Sequence, residues 1–110
     1  MARCCLHENE DSLLMSMVIV VLNKYTYPAH KHSWKDESYT ILRGRCEYQE
    51  FDEEGNLLLS SILSENETLL NTNRNFHLLK PSTKIMAFIE TTMGPFKANK
   101  LEFLKKLNNS

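Results

Sequence analysis

Cysteine is scarce in this chain, with three in 110 residues and two of those adjacent at Cys4 and Cys5. That is no disulfide framework, and reduced thiols in a cytoplasmic protein are the expectation. An excess of one charge is also missing. The formal net charge is −1 and the pI is near 6.4, which argues against nucleic acid and anionic membrane as partners. Long apolar runs are absent too. The longest, Met15–Leu22, falls far short of the ~20 residues that cross a bilayer. Glu8, Glu10 and Asp11 precede it where a secretory signal would carry positive charge, so no leader is expected. No GxGxxG, P-loop, GxSxG or CxxC occurs, and there are no repeats or low-complexity linkers.

What is present is a chain 42% hydrophobic, enough for one domain over residues 1–110 to bury its own core. Its periodicity is that of short strands. Arg3 to His7 reads as an edge strand, and Leu13 to Leu22, rich in β-branched residues, as a well-buried one. Tyr25 to His32 resumes extended structure, with Pro28 suiting an irregular start. Ser33 to Asp36 is a loop. Ser38–Arg43 and Arg45–Phe51 are two strands hinged at Gly44. Residues 52–56 form a hairpin turn with Gly55 at positive φ, and Leu57–Leu63 returns onto the preceding strand. Thr68–Leu70, Phe76–Leu79 and Ile85–Thr91 complete the set, and Leu101, Leu104 and Leu107 predict a short helix over residues 98–107. Seven to nine such strands predict an all-β sandwich, jelly roll or barrel.

The chemistry concentrates in one stretch, from Pro28 to Gly44. His30 and His32 are two apart and share one face of a strand. Glu37 follows in the next segment, and His77, on a later strand, offers a third imidazole. Three imidazoles and a carboxylate make a site for a divalent transition metal: iron, manganese, nickel, copper or zinc. The alternative is a pair of surface histidines in a polar loop. Tyr39 shares the face of Glu37, where it would hydrogen-bond a ligand or substrate, or simply fill a barrel mouth. Glu90 is a candidate base, or a solvated charge at a strand end. Arg43 and Arg45 are candidates for an anionic substrate, or plain surface arginines. Trp34 stacks on a sugar or packs locally. Cys4, Cys5 and Cys46 fall at no ligand spacing.

The pattern H-x-H-x4-E-x6-G from His30 to Gly44, with His77 about forty residues later, resembles the two motifs of the cupin superfamily. Lys24, Thr72, Arg74 and Pro81 stand where those motifs usually have glycine, proline, glycine and asparagine. The wider chain is similar to one branch, the WbuC-type cupin-fold metalloproteins. That likeness is carried by Arg3–His7, Tyr27–His32, Phe51–Gly55 and Glu90–Phe96. The segment after Phe96 departs from that branch, and Phe76 replaces its tryptophan. The resemblance implies a small single-domain cupin-like barrel with His30, His32, Glu37 and His77 as metal ligands. It also implies Arg3 and His7 near the site opening, and an association with surface-polysaccharide synthesis. Two functions follow as expectations. One is a metal-dependent isomerase or dioxygenase acting on a small polar molecule such as a sugar derivative. The other is a non-catalytic metal- or sugar-binding, sensing module. A nucleotide-sugar isomerase without metal is a third, weaker reading, since it leaves Glu37 without a purpose. A homodimer is a permitted assembly.

Overall fold

A computed structural model describes residues 1–32, 35–95 and 101–107. Trp34 and Phe96, both singled out above, lie outside the described residues. Among the described residues ten strands run β1 (Ala2–Cys5), β2 (Leu14–Leu22), β3 (His30–His32), β4 (Glu37–Arg43), β5 (Cys46–Phe51), β6 (Leu57–Leu63), β7 (Thr68–Asn71), β8 (Phe76–Pro81), β9 (Ile85–Met93) and β10 (Leu101–Phe103). They form two antiparallel five-stranded sheets, ordered β1-β2-β9-β4-β7 and β10-β3-β8-β5-β6. The two sheets face each other as a jelly-roll sandwich. No helix among the described residues is long and apolar enough to cross a membrane.

Alternation along the strands decides which side chains enter the space between the sheets. On β2, Met15, Ile19 and Val21 point inward, and on β9 Met86 and Phe88 do. These join Tyr39, Ile41, Cys46, Tyr48 and Leu63 in the main core, while Ala29, Phe51, Phe76 and Leu78 form a second cluster. Because β2, β9 and β4 lie side by side in register, their inward residues fall into rows. Met15, Thr92 and Glu37 make one row, Met17, Glu90 and Tyr39 the next, then Ile19, Phe88 and Ile41, with Val21 and Met86 last. Polar groups therefore occupy one end of the interior and apolar groups the other.

Gly44 makes the turn between β4 and β5 with φ +87. A Cβ there would come within 2.5 Å of the Ile85 carbonyl oxygen, so both the conformation and the space exclude a side chain.

The expected helix over residues 98–107 is corrected: Leu101–Phe103 is a strand, while residues 98–100 are outside the described set. The reason is the unsatisfied edge of β3. Among the described residues that strand makes one ladder pair with β8, His30 opposite His77, whereas β10 covers all three of its residues. The Leu104 amide then donates to the Ala29 carbonyl at 2.9 Å, and its side chain packs on the second cluster. Tertiary demand for backbone partners overrides the three-residue leucine spacing.

Candidate metal centre

Side chains from both sheets converge at the polar end of the interior. His30 and His32 come from β3 and His77 from β8, with ring centroids 4.6 Å apart for His30–His77 and 5.2 Å for His30–His32. From the opposite sheet β4 projects Glu37, whose side chain is almost fully buried. Its Oε1 lies 3.3 Å from His77 Nε2, and its Oε2 lies 3.5 Å from His32 Nε2 and 3.9 Å from Lys35 Nζ. The four residues picked from sequence spacing are thus neighbours in space.

Their hydrogen bonds orient them. The His30 Nδ1 sits 3.0 Å from the Pro28 carbonyl oxygen, to which it donates, leaving Nε2 turned to the interior. His77 is buried, and its Nδ1 lies 3.1 Å from the Asn75 carbonyl and 3.0 Å from the Asn71 amide nitrogen. These two neighbours favour different tautomers. Accepting from Asn71 puts the ring proton on Nε2, and donating to Asn75 frees Nε2. Turning the Asn71 amide over would bring its Oδ1, buried without a partner, to accept from Nδ1 as well. Ring N–H groups tied to backbone carbonyls are the usual way metal-binding histidines are aimed.

Tyr39 is buried and stands between two of these groups. Its hydroxyl donates to Glu37 Oε1 at 2.9 Å and meets His77 Nε2 at 2.9 Å. Tyr48 stacks on the His77 ring, with centroids 6.2 Å apart, and donates to Glu50 Oε2 at 2.6 Å. Neither Asn71 nor Tyr48 stands out in the sequence. Asn71 is found only once β7 pairs with β4 and sets it opposite Glu37, and Glu50 once β5 sets it opposite His77.

Burial dictates the protonation states. It pushes His30 and His32 down to about 4, so both imidazoles are neutral at pH 7. Burial would raise Glu37, but hydrogen bonds from His77 and Glu90 outweigh it and hold the carboxylate well below its usual range. Glu90 moves the opposite way. Burial first, then the hydrogen bond and charge of Glu37, raise it well above an ordinary carboxylic acid. The two carboxyls thus shift in opposite directions, Glu37 toward the ionised form and Glu90 toward the protonated one, an arrangement that divides acid from base.

The donor chemistry fits a divalent ion: neutral imidazole nitrogens, an ionised carboxylate, and a buried Glu37 Oε2 with no hydrogen-bond partner. As arranged, though, no group of three or more His, Cys, Asp and Glu among the described residues forms a ready-made metal cluster. His77 Nε2 and Glu37 Oε1 both meet the Tyr39 hydroxyl instead.

The other candidates separate clearly. Arg3 reaches the rim of the interior cavity and sits 6.0 Å over the Tyr27 ring. His7 does not face the site; its Nδ1 accepts from the Ser16 amide at 3.1 Å, clasping the chain after β1 to β2. Arg43 and Arg45 flank Gly44 at the far end of β4 from Glu37, both exposed, and do not line the cavity. Cys46 is a buried core residue whose thiol burial pushes up to about 12, while Cys4 and Cys5 are exposed. The cavity encloses about 160 Å³.

The comparisons agree with this architecture. A family model described as a domain of unknown function, DUF6016, matches residues 2–63. No curated protein matches the chain. Among solved structures, the chain is similar to an uncharacterized conserved protein with a double-stranded β-helix domain from Klebsiella pneumoniae. Identity is 14% and the TM-score 0.72, over 96% of this chain and 84% of that one. It is similar to the capsular polysaccharide assembling protein CapF from Staphylococcus aureus at 14% identity and TM-score 0.74. That match covers 96% of this chain but only 33% of CapF, so the chain spans a third of that protein. The cupin domain of Schizosaccharomyces pombe Cnp3 matches at 17% identity and TM-score 0.67, over 83% of this chain and 59% of that one. At such identities the likeness is one of fold, the cupin double-stranded β-helix.

Proposed function

Since the chain belongs to the DUF6016 family, a domain of unknown function, and folds as a cupin, we propose its function from the site itself. The protein is a divalent-metal-dependent enzyme acting on a small molecule, with His30, His32, Glu37 and His77 holding the ion. One observation carries this reading: a buried, ionised Glu37 whose Oε2 lacks any hydrogen bond, set among three imidazoles. A bound ion would polarise a carbonyl or bind oxygen, so isomerisation and oxygenation both fall within its reach. Glu90 supplies a held proton, and Tyr39 fixes Glu37 and His77 relative to each other. The likeness to WbuC-type proteins in Arg3–His7 and Tyr27–His32 supports a substrate from surface-polysaccharide chemistry. The CapF neighbour, named for capsular polysaccharide assembly, supports the same direction.

The test is elemental analysis of protein purified without added metal, followed by anomalous diffraction. About one ion per chain among these four side chains is expected. Glu37→Gln should weaken it, and His77→Ala should weaken it further. A metal-free protein whose melting temperature ignores added Zn²⁺, Mn²⁺, Ni²⁺ and Fe²⁺ would refute the proposal.

A second reading, a metal- or sugar-binding module without turnover, is favoured by one feature. The Glu37–Tyr39–His77 contacts hold the donors together without an ion. Turnover on screened substrates, set against thermal shift alone, separates the two.

A further inference from the structure

Along β2 and β9 the cavity beside the centre is polar at one end only, with the half-exposed Tyr25 at the mouth of the other end. His30, His32, His77, Tyr39 and Glu90 stand at the polar end, and beyond the row of Glu90 every inward residue of β2 and β9 that lines the cavity is apolar. Ile19 and Phe88 come first, then Val21 and Met86, with Met17 at the boundary. None of these side chains offers a hydrogen-bond partner to a ligand hydroxyl apart from weakly accepting methionine sulfur. A sugar carries a hydroxyl on most of its carbons, so seating one here would strip water from groups that gain nothing back. A hydrocarbon tail would fill the same space favourably, and methionine walls adapt to its shape.

From this gradient we infer, in place of the sugar that the family likeness suggests, that the ligand is a small amphiphile: one oxygen-bearing head group, a carboxylate or carbonyl, on a hydrocarbon tail of a few carbons. The head meets the histidine and carboxylate end, with Arg3 and Lys35 at the rim supplying positive charge for an anionic oxygen. The tail runs along the strands between the sheets. The head-group half rests on the metal proposal above, whereas the tail half rests on the cavity wall alone.

The experiment titrates the full chain with acetate, butyrate, hexanoate and octanoate, and with glucose, before and after chelation. Metal content is measured on every sample. Affinity should rise about fourfold per methylene, the equivalent of 0.8 kcal/mol for each buried CH₂, until the cavity is full. Glucose should not bind. Chelation should lower all carboxylate affinities by one common factor and leave the chain-length slope intact. A flat series, or glucose binding as tightly as hexanoate, overturns the inference even if each chain holds its ion. A steep series in protein that never binds metal overturns the metal proposal and leaves the tail inference standing. Met17→Gln, which keeps length but adds an amide to the wall, should reduce the slope, and Met17→Leu should preserve it. Equal slopes in both variants, each shown to be folded by its near-ultraviolet spectrum, would also count against the inference.

Discussion

Replacing Tyr39 by phenylalanine removes one oxygen atom and leaves the ring where it packs, with centroids 6.3 Å from Tyr48 and 6.0 Å from Phe88. No cavity is made, so the cost is polar. The lost hydroxyl serves an ionised carboxylate and an imidazole, both buried and both at 2.9 Å. A hydrogen bond to a charged group contributes about 1.5–3 kcal/mol and one to a neutral group about 1. The metal-free variant should therefore lose on the order of 3 kcal/mol, roughly 10–15 °C in melting temperature for a domain of this size. Metal should change that number. His77 Nε2 cannot serve an ion and the hydroxyl together, so in the loaded protein only the Glu37 bond is left to lose. Urea unfolding of native and variant protein, with chelator and with saturating Zn²⁺, gives the four corners of a cycle. The penalty should fall by about a third to a half when metal is present. A penalty under about 1 kcal/mol without metal, or one that metal leaves unchanged, would refute the reasoning.

Acid stability should expose the opposed titrations at the site. His30 is near 4 when folded and near 6.5 when unfolded, so the unfolded chain takes up its proton first and stability falls as pH drops through that window. The loss for His30 alone is about 2 kcal/mol by pH 5. Glu90, raised in the folded state, holds its proton there while the unfolded carboxyl is ionised, and so opposes the loss. Glu90→Gln should therefore steepen the decline between pH 6.5 and 4.5 in urea titrations on chelated protein, and a flatter profile would contradict the assignment. Asn71→Leu removes one of the two neighbours competing for His77 Nδ1 and should shift the ring toward the tautomer protonated there, read directly from imidazole ¹⁵N shifts. Gly44→Ala forces a Cβ against the Ile85 carbonyl at positive φ and should cost about 2 kcal/mol with no effect on metal affinity.

Much of this protein is written locally. β-Branched content, the Gly44 hinge and the turn at residues 52–56 located β2, β4, β5, β6 and β9 within a residue or two, because each signal is local to its strand. His30, His32 and Glu37 were legible for the same reason, as they sit close together on two segments joined by one loop. His77 was a candidate third imidazole on a later strand, and the structure sets it directly across from His30. Asn71, Tyr48 and the opposed shifts of Glu37 and Glu90 were not legible, because each arises from strand neighbours far apart in sequence. Tyr39 was open to two readings, and its burial with two polar contacts shows it to be a bonded partner of the site rather than a half-buried plug. The helix expected after residue 98 failed because leucine spacing says nothing about an open strand edge elsewhere in the chain.

That open edge has a consequence for how the protein is made. The strand bearing His30 and His32 leaves the ribosome early, yet among the described residues it has a single ladder pair on one side and waits for β10 on the other. Until β10 has emerged, His30 and His32 lie on a strand paired along one side, whereas the sheet of β1, β2, β9, β4 and β7 is complete once β9 has been made. If the site takes an ion as proposed, its affinity should fall on proteolytic loss of β10, because His30 and His32 would lose one of their two neighbouring strands.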